Sequence, residues 1–80
     1  MNENESKVLA YMIEEGCVGL AFPFEPIAVN TGLDRKVVRR ACRSLARKGL
    51  AQFIRGLWDD EGNPAGSGYG PTELAFVGKD

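Results

Sequence analysis

The stretch from Asp34 to Lys48 constrains the fold more than any other part of the chain. At about 100° per residue on a helix, Val38, Ala41, Cys42 and Leu45 gather on one side. Lys36, Arg39, Arg40, Arg43 and Arg47 gather on the other. That segregation fits a helix with one packed face and one solvent face, and it does not fit the two-residue period of a strand. Asp34 is a good N-cap, and Gly49 is a natural C-terminal stop. Arg35 and Lys36 stand in the first turn, where the helix dipole disfavours cations. An arrangement that works against local stability invites a functional reason.

The charge distribution of the whole chain sharpens this point. Ten basic and eleven acidic residues give 80 residues a net charge of -1. Eight of the ten basic residues lie between Arg35 and Arg55, and no Asp or Glu lies between Arg35 and Trp58. That segment is +8 and the remainder is -9, which predicts one surface built for an anionic partner. A basic amphipathic helix can also lie on a membrane or grip an acidic protein. The opposite face here, however, is small and lacks aromatics, as suits a core.

A chain of this length holds one domain. Its 44% hydrophobic and 26% charged residues are an ordinary globular balance. No apolar run approaches the ~20 residues of a membrane span. The polar, acidic opening from Met1 to Ser6 is unlike a signal or transit peptide, so the expected location is cytoplasmic. No His and two Cys leave no four-ligand zinc site and no Ser-His or Cys-His catalysis. No carboxylate pair or activated nucleophile has an evident site, so neither an enzyme nor a metal or cofactor is expected. Cys17 and Cys42 read as buried thiols rather than a disulfide. Asp59, Asp60 and Glu61 lack the spacing of a calcium loop and read as a solvated turn.

The remaining elements follow from apolar spacing and chain breakers. A first helix is predicted from about 4 to 15, with Val8, Leu9, Met12 and Ile13 as its apolar stripe, Asn4 or Ser6 as its cap, and Gly16 at its end. Cys17 to Phe22 is expected to form a brief strand. A short helix follows from about 25 to 31, with Pro26 in its first turn, Ile27 and Ala28 inward, and Gly32 closing it. The third helix spans about 34 to 48. A hairpin then occupies about 50 to 71, with a turn-rich loop from Asp59 to Gly68 and the apolar pattern restarting at Tyr69. Trp58 and Tyr69 are expected to pack across it. Pro71 limits the returning strand to a short or edge position. Thr72 could cap a last helical turn through Leu74, Ala75 and Phe76; a strand through Phe76 and Val77 competes with it.

Helix, short strand, short helix, tight turn, basic helix and hairpin is the element order of an α+β winged helix-turn-helix domain, three helices plus a β-hairpin wing. Ile27-Ala28-Val29-Asn30-Thr31-Gly32-Leu33 resembles the second helix and turn of that family. Asp34 to Leu50, with its closing Leu-x-x-Lys-Gly-Leu phrase, resembles the recognition helix. Tyr69-Gly-Pro-Thr-Glu-Leu74 is similar to the segment after the wing in MarR-like regulators. The resemblance implies a double-stranded DNA-binding regulator whose third helix enters the major groove. Arg35, Lys36, Arg39 and Arg40 would face the groove, Arg43 and Arg47 would reach phosphates, and the wing would bring Arg55 near the backbone. A homodimer is compatible with the family. The acidic wing segment 59–61 departs from the basic wing of a DNA binder. The alternative is therefore a protein-interaction module that uses the basic helix face or the acidic wing.

Overall fold

The computed structural model describes residues 1–58 and 64–77. In chain order the elements are α1 (Glu3–Glu15), α2 (Phe24–Thr31), α3 (Arg35–Arg47), β1 (Ala51–Trp58), β2 (Pro64–Pro71) and α4 (Glu73–Val77). The two strands pair antiparallel as a hairpin behind a helix-turn-helix, which is the winged-helix architecture.

Capping sets the helix limits. Asn2, rather than Asn4 or Ser6, caps α1: its Oδ1 accepts from the Glu5 N–H at 2.8 Å, which starts the helix a residue early. α2 begins after the extended Pro23 and ends at Gly32, whose φ of 74° only glycine adopts without cost. At the start of α3, Asp34 Oδ1 accepts from the Lys36 N–H at 3.1 Å, as its side chain predicts. At the end, the Leu50 N–H reaches the Leu45 carbonyl and the Gly49 N–H reaches that of Ala46, with Gly49 at φ 79°. This pair of bonds is a Schellman motif, and it turns the chain directly into β1.

The apolar stripes meet where the sequence places them. Val8, Leu9 and Met12 of α1 join Ile27 of α2, Val38, Ala41, Cys42 and Leu45 of α3, Ala51 of β1 and Ala75 of α4 in one core. Met12, Ile27, Val38, Cys42 and Leu45 are fully buried. Both cysteines are free thiols, Cys42 buried as expected and Cys17 exposed instead of buried, because it stands in the turn after α1.

Three expectations change. The brief strand over Cys17 to Phe22 shrinks to one antiparallel bridge, Phe22 with Tyr69, closed by two backbone bonds of 2.9 and 3.0 Å. A turn at Cys17–Leu20, with Gly19 at φ 93°, uses up the rest of that segment. Next, the returning strand starts at Pro64, not Tyr69, so five residues read as loop are strand. As a result Tyr69 stands opposite Phe53, and Trp58 stands opposite Pro64 instead of pairing with Tyr69. Finally, of the two readings left open after the wing the helical one holds, as α4 (Glu73–Val77), but Thr72 has a different role. The Thr72 N–H bonds to the Leu50 carbonyl and its hydroxyl donates to the Gly49 carbonyl at 2.5 Å. Thr72 thus ties the strand end to the α3–β1 turn through its side chain, where a capping role was expected. The acidic residues Asp59, Asp60 and Glu61 lie outside the described residues.

The glycines of β2 explain why a loop-like sequence forms a strand. A Cβ at Gly68 would collide with the Phe22 carbonyl, and one at Gly70 with the Leu20 carbonyl. Only a strand without side chains at these points lets the 20–23 segment lie against it.

Candidate nucleic-acid interface

The α1, α2 and core contacts bury one side of α3 and leave the other bare. Lys36, Arg39, Arg40, Arg43 and Arg47 are all exposed, and together they line one shallow depression along the helix. Among the described residues none of the five makes an ion pair. The spacing sets Lys36 above Arg40, Arg39 above Arg43, and Arg43 above Arg47, so like charges face one another at i,i+4. Such a face is repulsive by itself and gains from an anion laid along it.

The other predicted cations have different settings. Arg35 is exposed but pairs with Glu25 of α2, Nη1 to Oε2 at 3.6 Å. It is therefore partly neutralised and stands apart from the five. Arg55, on β1, is exposed and sits with its guanidinium 5.8 Å from the centre of the Phe53 ring. Arg55 thus belongs to the wing and not to the α3 face.

Lys48 contributed to the +8 segment, yet it serves the fold. Its Nζ lies 2.5 Å from Glu5 Oε1, and Ser44 Oγ donates to the same oxygen at 3.0 Å. Glu5 is only 6% exposed, the one charged residue among the buried ones described. The hydrogen bond from Lys48 holds its carboxyl below the ordinary carboxylate value; burial opposes that shift and the Ser44 hydroxyl supports it. The cluster clips the first turn of α1 to the last turn of α3 and fixes how far α3 projects. Sequence reading missed it because Glu5 and Lys48 are 43 residues apart. The weak signal was an acidic residue on the same helical face as Val8, Leu9 and Met12.

Aromatic rings continue the surface from the start of α3 to the wing. Phe24 lines a second shallow depression together with Arg35, Lys36 and Arg39. Phe24 stacks on Tyr69 at 5.9 Å between ring centres, and Tyr69 meets Phe53 at 5.2 Å. Phe22 packs edge-on against Tyr11 of α1 at 5.1 Å. Among the described residues no cluster of His, Cys, Asp and Glu could hold a metal ion.

No protein-family profile and no curated protein matches the sequence. The fold does match solved structures. One is NMB1585, a MarR family regulator from Neisseria meningitidis, at a TM-score of 0.71 and 23% identity, over 96% of this chain and 49% of that one. Another is the PcaV transcriptional regulator from Streptomyces coelicolor, solved with its natural ligand, at a TM-score of 0.72 and 18% identity over the same shares. The chain therefore has the winged-helix fold of these proteins and spans about half their length.

Proposed function

We propose that this chain binds double-stranded DNA as a transcriptional regulator, with α3 seated in the major groove. The observation that carries this reading is the row of five exposed cations on α3, free of ion pairs among the described residues and held outward by a packed opposite face. A helix about 10–12 Å across fits a groove about 12 Å wide. On this reading Lys36, Arg39 and Arg40, nearest the N-terminus of α3, meet base edges, where arginine can pair with guanine through two bonds. Arg43 and Arg47, nearer its C-terminus, meet phosphates on the same reading. Arg35 shares its charge with Glu25 and contributes less than its sequence position implies. The shared fold with known regulators supports the same reading. On this reading the protein works in the cytoplasm. A homodimer would set two α3 helices about 34–36 Å apart, one turn of the duplex.

Titration of a duplex library over a range of salt concentrations tests the proposal. Each phosphate neutralised contributes a slope of about -0.9 in log affinity against log salt. Arg47→Ala should flatten that slope by about one unit and weaken all sequences alike. Arg39→Ala should relax sequence preference. A chain that binds no duplex at low salt rejects the reading and leaves the protein-interaction alternative.

A further inference from the structure

Glu25 stands in the first turn of α2, and its charge runs against its surroundings. Its side chain is 68% exposed and lies 3.6 Å from Nη1 of Arg35, itself 65% exposed. The neighbouring depression is lined by Phe24, Arg35, Lys36 and Arg39, so this carboxylate borders a surface that is otherwise cationic and aromatic. Phe24, stacked on Tyr69, anchors the turn that carries it. Asp34, an acid at the same end of α3, is taken up as the helix cap. A negative charge suits the start of α2, but that benefit needs no contact with Arg35. An ion pair this exposed contributes little to folding. A carboxylate at the edge of a cationic face also weakens its attraction for phosphates.

We infer that Glu25 and Arg35 act as one unit that reads a G·C base pair, an inference that rests on the duplex-binding reading of α3. In the major groove a G·C pair presents two acceptors, guanine N7 and O6, and then one donor, the cytosine N4 amino group. O6 and N4 are hydrogen-bonded to each other and so stand about 2.9 Å apart. A guanidinium and a carboxylate 3.6 Å apart offer the complementary order. Arg35 donates to N7 and O6, and Glu25 accepts from N4. The unit thus reads both strands at once. An A·T pair sets its one donor between two acceptors, so the same unit keeps one Arg35 bond in place of two. Arg35, its charge shared, adds little to general attraction and acts through the choice of sequence.

Duplexes are selected from a random library by the parent chain, Glu25→Ala and Arg35→Ala. Affinities are then measured for the selected duplex and for one with the read pair changed to A·T, with thermal melts of each chain. The parent should select a G·C pair at one position and lose about 5- to 150-fold on its change to A·T. Both variants should lose the preference at that position and keep the others. Glu25→Ala should also bind unselected duplexes more tightly, because a charge that repels phosphates is gone. A Glu25→Ala chain that melts lower yet selects the same G·C pair overturns the inference, reduces Glu25 to a helix-dipole role and leaves the α3 reading intact. A preference lost in Arg35→Ala and kept in Glu25→Ala overturns it too, since Arg35 then reads alone. A parent that binds duplexes but selects no G·C pair overturns the inference only. Absence of duplex binding by the parent overturns both.

Discussion

Two kinds of residue set the local limits of this protein, those that fill space and those that must leave it empty. Leu45 is fully buried on the core side of α3, so Leu45→Ala should destabilise by about 2–5 kcal/mol in chemical denaturation. Gly70 is the opposite case. Its missing side chain admits the Leu20 carbonyl, so Gly70→Ala should cost about 1–3 kcal/mol as the 20–23 segment is pushed away. Melting of this variant against a control change at exposed Asn30 checks it. Glu5 yields a prediction with a sign. Its carboxyl binds a proton less readily in the folded chain than in the unfolded one, because Lys48 and Ser44 stabilise the ionised form. Its contribution is therefore complete near neutral pH and is lost as pH falls through the ordinary carboxylate value of 4.5 and below. Melting temperature followed from pH 7 downward should drop less steeply in Glu5→Gln than in the parent, from a lower starting point.

Elements differed in how much of themselves the sequence displayed. α3 was legible to its caps because polar and apolar residues separate cleanly, and Val38, Ala41, Cys42 and Leu45 are all buried as the pattern requires. The start of β2 was hidden. Gly66, Gly68 and Gly70 look like loop residues, but Gly68 and Gly70 mark a strand pressed against another backbone, and Gly66 supplies a φ of 92°. The strand expected before Pro23 was overstated because apolar content cannot reveal a tight turn that consumes it. On the site side, the five-cation face was visible from spacing alone, but the Arg35–Glu25 pair, the Glu5–Lys48 clip and the aromatic column join residues far apart in sequence. α3 also carries its own prediction. Arg39 faces Arg35 and Arg43 at i,i+4, and each such like-charge pair opposes the helix by about 0.2–0.5 kcal/mol. Arg39→Ala should therefore leave the melting temperature unchanged or slightly raised while duplex binding falls. A large drop in stability would show that Arg39 packs against the fold.

At the scale of the whole molecule, charge is divided by task. The acidic residues of α1 and the segment between the strands lie outside the basic stretch, and two acids reach into it: Glu25 pairs with Arg35 at the start of α3 and Glu5 with Lys48 at its end. The five remaining α3 cations repel one another, so added salt should raise the melting temperature of the free protein even as it weakens DNA binding. Differential scanning fluorimetry and duplex titration over one salt series should show these opposite trends. A melting temperature that falls with salt would mean that attraction, chiefly the pairs at Glu5, Glu3 and Glu25, outweighs the repulsion along α3.

The unequal placement of the two thiols gives the molecule a built-in reporter. Burial pushes the Cys42 thiol up to about 12, while Cys17 is exposed on the turn after α1. A maleimide offered to the native chain therefore finds one sulfur, and offered to the unfolded chain finds two. Because Cys42 sits on the inner side of the helix that carries the five cations, the rate at which the second sulfur reacts measures how often that helix lifts from its bed. A duplex clamped across the outer side should slow that reaction without touching the first.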